Sequence, residues 1–189
     1  MIHDAAGLSR FLEATPAVVE PLRLVARLGL PDVWIGAGLL RNAVWDALSG
    51  LLPGSNPPGD IDVIWFDALA PEAADMAIEA RLHAVRPDLP WSVRNQARMA
   101  VRNGDVPYAD ARDAVAHWPE TATAIAARWT GDALEIMAPH GLDDLLACRL
   151  RPTPHFAASA AKRAIFAERI RVKRWAARWP GLSVAAELP

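Results

Sequence analysis

Apolar residues recur at helical intervals at Val18, Val19, Leu22, Val25 and Leu28, behind Thr15-Pro16 and ahead of Gly29. A capping residue followed by proline, with glycine at the exit, predicts a helix that packs against a core. Leu30-Pro31-Asp32 turns the chain into Val33-Trp34-Ile35, a short buried strand, and Gly36-Ala37-Gly38 opens a second helix to about Ser49 with Leu40, Val44 and Leu48 on its inner face. Gly50 to Gly59 contains three prolines and three glycines without periodicity, which predicts a surface loop of about ten residues. The run from Asp60 to Phe66 is β-branched and aromatic and reads as a strand. Pro71 to Val85 follows as a helix with Met76, Ile78, Leu82 and Val85 inside.

Trp91 to Arg94 reads as a further strand, followed by a polar segment over 95–102 and a helix around 109–116. Residues 124–129 and 133–137 flank Thr130-Gly131-Asp132 and predict a hairpin. Beyond Pro139 the pattern turns helical, over 142–148 and then in one long helix from about Phe156 to Trp179, stopped by Pro180-Gly181. These elements predict an α/β (α+β) body over 1–140 and a helical C-terminal part over 141–189, packed together as one structural unit.

Composition narrows the classes. The chain has 189 residues, 52% hydrophobic and 22% charged, which suits one globular domain and excludes large modular enzymes. No apolar stretch approaches the roughly 18 to 20 residues of a bilayer span, and Met1-Ile2-His3-Asp4 does not begin a secretion signal, so a cytoplasmic protein without membrane contact is expected. The single Cys148 excludes an internal disulfide framework and a cysteine-built zinc site. Net charge is −2, against a surface built wholly for nucleic acid, yet Phe156 to Trp179 carries seven cations and one acid. That helix reads either as a solvated face or as one that contacts acids of the body or RNA.

Asp60 and Asp62 bracket one isoleucine, and strand alternation puts both carboxylates on one face about 6.5–7 Å apart along the backbone. Two anions so placed repel, and a hard divalent cation, Mg²⁺ or Mn²⁺, removes the conflict. Paired ions of this kind are the recurring device of phosphoryl and nucleotidyl transfer. Glu135, flanked by Leu134 and Ile136, supplies a third strand acid. The bland reading of Asp60 and Asp62 is a solvated strand end after a loop. Upstream, Gly36, Ala37 and Gly38 form the strand-to-helix turn that presents backbone N–H groups to phosphate, although the glycines also suit tight packing.

A glycine turn, Arg41, Asp-x-Asp about twenty residues on and an isolated strand acid occur here in the order of the polymerase-beta nucleotidyltransferase superfamily. The chain resembles most closely its bacterial nucleotidyltransferase-like family. The matching stretches are Trp34 to Asp46, Asp60 to Asp67, Asn95-Gln96-Ala97-Arg98-Met99, Trp118 to Thr123 and Ala138 to Leu145, within roughly residues 30 to 180. The resemblance implies the nucleotidyltransferase fold, a mixed β-sheet flanked by helices with a small helical C-terminal extension. It also implies Asp60, Asp62 and Glu135 as metal ligands and catalytic acids, with Gly38 and the helix start at an NTP triphosphate. The chain departs from the Gly-Gly turn and Arg-Asp pair of the tRNA nucleotidyltransferases at Ala37-Gly38 and Arg41-Asn42, and Ala100 stands where the family tends to carry histidine.

Other residues have two readings. Arg41 reaches a phosphate or pairs with Asp62 or Asp67, and Arg94, Asn95 and Arg98 touch the nucleotide or acceptor or form a solvated helix face. Trp34, Trp65 and Trp175 read as core, with Trp118 left open between core and site. His140 shuttles protons or caps a helix, and Asp143 and Asp144 favour a helix dipole. The expected function is metal-dependent transfer of a nucleoside monophosphate from NTP to an acceptor hydroxyl on a small molecule, protein or RNA. The alternatives are a non-catalytic fold that binds a nucleotide or partner protein, and an RNA-modifying enzyme, ranked lower because about fifty residues follow Pro139.

Overall fold

The computed structural model describes residues 2–185. It begins with a helix that the opening pattern does not announce, α1 (Ala5–Glu13). Asp4 caps it by accepting from the Gly7 N–H at 2.7 Å, and Leu8 and Leu12 are buried one turn apart. After α2 (Pro16–Ala26) come β1 (Trp34–Gly36), α3 (Gly38–Leu48), β2 (Ile61–Trp65), α4 (Ala73–Val85) and β3 (Trp91–Asn95). The polar segment becomes a 3₁₀ turn, Gln96–Arg98, and α5 (Met99–Asn103), and α6 (Ala111–Ala116) precedes the predicted hairpin, β4 (Ala126–Trp129) and β5 (Leu134–Met137). The rest is α7 (Asp143–Leu146), β6 (Arg149–Leu150), α8 (Pro154–Ala157), α9 (Ala160–Lys173), α10 (Trp175–Arg178) and β7 (Ser183–Val184).

The main sheet runs β3-β2-β1-β4-β5; β2 and β3 are parallel, joined across α4, and the other pairs are antiparallel. It is the expected mixed sheet flanked by helices. Strand alternation divides its two faces. Ile35, Val63, Val93 and Ala127 join the main core with residues of α1 to α4, whereas Trp34, Ile64 and Ala126 form a smaller cluster with Ala111 and Val115 of α6. Asp62 shares the second face with Ile64. Ile78 and Leu82 of α4 are buried as their spacing requires, but Met76 and Val85 are exposed, because α4 covers the sheet along one narrow stripe. Leu48, expected inward, also stands half-exposed at the end of α3.

The long C-terminal helix is interrupted. Ser159 caps α9 through a bond from the Lys162 N–H, and Arg174 adopts left-handed φ +48° between α9 and α10. That turn swings Trp175 and Trp179 into the core, edge-on to Trp45 at ring-centroid distances of 6.2 and 5.2 Å. Three charged anchors tie this part to the body. Fully buried Asp46 accepts from the Trp179 indole at 2.9 Å and from Gly54 and Asn56, so it fixes the loop and the tail together. Buried Glu120 receives Arg169 Nε at 2.8 Å, and Asp105 receives Lys162 Nζ at 2.7 Å. No helix among the described residues is long and apolar enough to cross a membrane.

Trp179→Phe, which deletes one donor to Asp46, is expected to destabilise by about 2 kcal/mol. Asp46→Ala, which releases loop and tail at once, is expected to cost about 3–5 kcal/mol. Urea unfolding measures both, and a smaller effect for Asp46→Ala than for Trp179→Phe would refute the shared anchor.

Candidate active site

A cleft of about 510 Å³ opens on the Asp62 face of the sheet. Period-two spacing brings Asp60, Asp62 and Ile64 to its floor, and the parallel pairing of Asp62 with Ser92 and of Ile64 with Arg94 adds those two from β3. Ala37 and Gly38 reach it from the β1–α3 turn, so the glycine turn and the carboxylate pair face one space. Glycine eases the packing at position 38: a Cβ there would lie 3.1 Å from the Pro58 side chain, a tight approach, and 3.6 Å from the Asp60 carbonyl oxygen, an ordinary contact. The preceding Ala37 sits at φ +36°, ψ −98°, a conformation that a Cβ disfavours.

Neither aspartate forms an ion pair among the described residues. The cations nearby are engaged elsewhere: Arg94 faces Glu79 at 3.6 Å, Arg169 binds Glu120, and Arg41 donates from Nη2 and Nε to Asn42 Oδ1 at 2.8 and 3.2 Å. Burial pushes the Asp62 carboxyl up to about 6, and the neighbouring Asp60 charge adds to the effect. Arg41 is buried with its guanidinium 5.3 and 4.9 Å from the Trp45 and Trp175 ring centroids. Burial lowers its pKa to about 10, opposed chiefly by the Glu120 charge, and it stays cationic at neutral pH. The alternative of an Arg41 ion pair with Asp62 or Asp67 is not what forms.

Two unpaired carboxylates are an oxygen donor set for a hard cation. Among the described residues no group of three or more His, Cys, Asp or Glu side chains could hold a metal ion. The fit is therefore to Mg²⁺ or Mn²⁺ that shares its shell with ligand phosphates and water, not to an ion caged by protein alone.

The family described as Nucleotidyltransferase matches residues 23–184. This chain belongs to that nucleotidyltransferase family. It is similar, at TM-score 0.86 and 30% identity over 96% of both chains, to an NMR structure described as revealing a CCA-adding enzyme head domain. The Thermotoga maritima CCA-adding enzyme complexed with tRNA aligns at TM-score 0.58 and 15% identity, over 97% of this chain and 42% of that one. The Bacillus stearothermophilus CCA-adding enzyme in complex with CTP aligns at TM-score 0.53 and 16% identity, over 90% of this chain and 41% of that one. This chain thus spans about two-fifths of those two enzymes, and at such identities they show the fold alone. No curated protein matches by sequence.

Within the family fold, several expected site residues fall elsewhere. Glu135 is not the third acid of the cleft. β5 is the sheet edge, separated from β2 by β1 and β4, and Glu135 receives Arg128 Nε at 2.7 Å across the hairpin. At about 4.8 Å per strand it stands some 14 Å away from β2. Asn95 and Arg98 do not line the cleft. Buried Asn95 accepts from the Asp67 and Ala97 N–H groups and donates to the Asp67 carbonyl, while Arg98 clamps Asp75 at 2.7 Å and the Ala70 carbonyl. Both hold the β2–α4 connection against β3. Gly36 lies outside the lining as well, and its missing Cβ makes room for the Trp118 indole, which does form part of the wall. His140 is tied through Nε2 to the Ala116 carbonyl at 2.9 Å, and Asp144 accepts from Thr121 Oγ1 at 2.6 Å.

The sequence reading also missed contributors. Arg102 and Asn103 of α5 and Lys173, Trp175 and Arg178 of the C-terminal helices line the same cleft. The excess of cations over 156–179 was the trace that Lys173 and Arg178 left in the sequence.

The raised carboxyl of Asp62 sets a pH dependence. A folded-state value above the unfolded one means that the folded protein binds more protons between about pH 4 and 6, so stability falls as pH rises through that window. Without divalent cation, Asp62→Asn is expected to be more stable than wild type by about 1–3 kcal/mol at pH 7.5, with the gap closing by pH 4. Millimolar Mg²⁺ should narrow the gap at pH 7.5 by stabilising wild type alone. Thermal melts across pH check this, and a gap independent of pH would contradict it. Ala37→Gly should relieve the turn and stabilise by about 0.5–1 kcal/mol in urea unfolding; a net loss would show that Ala37 is not strained.

Proposed function

We propose that the protein transfers a nucleoside monophosphate from an NTP to an acceptor hydroxyl and releases pyrophosphate, in a reaction dependent on Mg²⁺ or Mn²⁺. The observation that carries this reading is the convergence, in one cleft, of two carboxylates and a buried arginine that form no ion pair among the described residues with a glycine-lined helix start. The CCA-adding enzymes of like fold solved with CTP and with ATP support an NTP as the donor.

Asp60 and Asp62 would hold the divalent cation, which when bound neutralises phosphate charge and lowers the pKa of an attacking hydroxyl. The residues of the chain do the rest. The Gly38 turn admits phosphate oxygens close to the backbone, where the positive end of α3 favours them. Arg41, fixed by Asn42 and by the Trp45 and Trp175 rings, offers its remaining N–H groups to the phosphate chain without needing to reorganise. Ile64 and Trp118 give the cleft an apolar wall that excludes water from one side of the ligand.

The rival reading is a nucleotide-binding fold without transfer. Ala37 favours it, because a Cβ at a strained turn alters the backbone cradle. Ala100 does not, since it is buried against Tyr108 and Ala114 and not in the cleft wall. Incubation of the full chain with each α-labelled NTP, Mg²⁺, and tRNA or a panel of small-molecule acceptors tests both. Wild type should release pyrophosphate, and Asp62→Asn should lower the rate by about 10²–10³-fold at unchanged fold, the order of loss on removing one group that stabilises transition-state charge. Equal turnover in Asp62→Asn would remove the proposed site, and metal-linked NTP binding without turnover would establish the rival.

A further inference from the structure

Arg41, Lys173 and Arg178 line one cleft from opposite parts of the chain, the first on α3 and the others on the C-terminal helices. Six cationic side chains line that cleft against two carboxylates. Arg94 and Arg169 are neutralised by Glu79 and Glu120. Lys173 and Arg178 form no ion pair among the described residues. An aqueous cleft with this surplus of positive charge suits a polyanion.

Trp175 closes this end of the cleft as a nearly buried wall residue, 2% exposed.

The backbone around these residues is specialised. Arg174, without a glycine's freedom, takes the left-handed conformation that ends α9 at Lys173 and starts α10 at Trp175. This single turn keeps Lys173 on the cleft while the Trp175 ring stacks on the Arg41 guanidinium, and Arg178 follows one helical turn on. The rim is held by Arg169 on Glu120, Lys162 on Asp105 and Trp179 on Asp46, so the cations stand in place before any ligand arrives.

We propose that the C-terminal helices complete the nucleotide's phosphate site: Arg41, Lys173 and Arg178 clamp the polyphosphate chain. This rests on the nucleotide reading of the same cleft and extends it to residues of the basic tail. The donor is then gripped from two sides, by the sheet-borne carboxylates through their cation and by the tail directly.

The test is calorimetric titration of the full chain with inorganic tripolyphosphate, ATP and a ten-nucleotide oligoadenylate RNA, each with Mg²⁺. The double variant Lys173→Ala/Arg178→Ala should lose at least tenfold in affinity for both tripolyphosphate and ATP, with a shallower salt dependence. Both substituted side chains lie at the cleft rim, so a loss of affinity at an unchanged melting temperature reads ligand binding and not unfolding. Unchanged tripolyphosphate affinity in the double variant overturns the clamp while nucleotide transfer by wild type can stand. Loss of RNA binding alone in that variant also overturns it, by assigning the cations to a nucleic-acid backbone. Wild type that binds neither ATP nor tripolyphosphate overturns both readings.

Discussion

Asp62 on the central sheet and Asp60 just before its strand face one cleft without an ion-pair partner among the described residues, and the surrounding side chains are arranged around that conflict. Asp60 and Asp62 repel, and burial raises the Asp62 carboxyl to about 6. An ion pair with Arg41 would remove the tension and also occupy the cleft. The chain avoids it by giving Arg41 a neutral partner, Asn42, and by setting the guanidinium against the Trp45 and Trp175 rings. The anions and the nearest cation are thereby kept apart and available, an arrangement that costs stability in the absence of ligand and that a metal-bound polyphosphate would relieve.

The framework that tolerates this is itself built from buried charge. Asp46, Glu120 and Asp105 each accept several hydrogen bonds in the interior, and each joins segments far apart in the chain. Around Asp105, burial would raise the carboxyl, but the bonds from Lys162 and Tyr108 and the His155 charge hold it below its usual range. Charges so satisfied resist displacement, because removing any partner leaves an unpaired ion in a region of low polarity. That suits three anchors which set the position of the C-terminal helices relative to the sheet. Membership of the nucleotidyltransferase family accounts for the sheet and its flanking helices, whereas the anchors explain how a short helical tail becomes one wall of the same cleft.

Several elements were legible from local pattern. The β-branched run after Asp60, the glycine-opened α3 and the hairpin around Gly131 formed as their periodicity demands, because each buries its apolar positions with its own local geometry. Helix ends were less so. The tail reads as one helix from Phe156 to Trp179, yet Arg174 breaks it, since burying Trp175 and Trp179 edge-on against Trp45 outweighs the strain of a left-handed arginine. Met76 and Val85 carried the right residue type, but how wide a stripe α4 buries depends on the sheet beneath it.

The residues alone therefore determined the strand that bears Asp62, with Asp60 just ahead of its first residue, the shared side of those two carboxylates and the turn that precedes α3, all consequences of a period of two or of a cap within a few positions. Strand order was beyond their reach. Whether Glu135 approaches Asp62 depends on which strands lie between them, a matter settled by long-range pairing, and β1 and β4 came between. The same holds for Lys173, Trp175 and Arg178: their charge and bulk are written in the chain, but only burial of Trp179 on Asp46 and of Arg169 on Glu120 decides that they face the cleft.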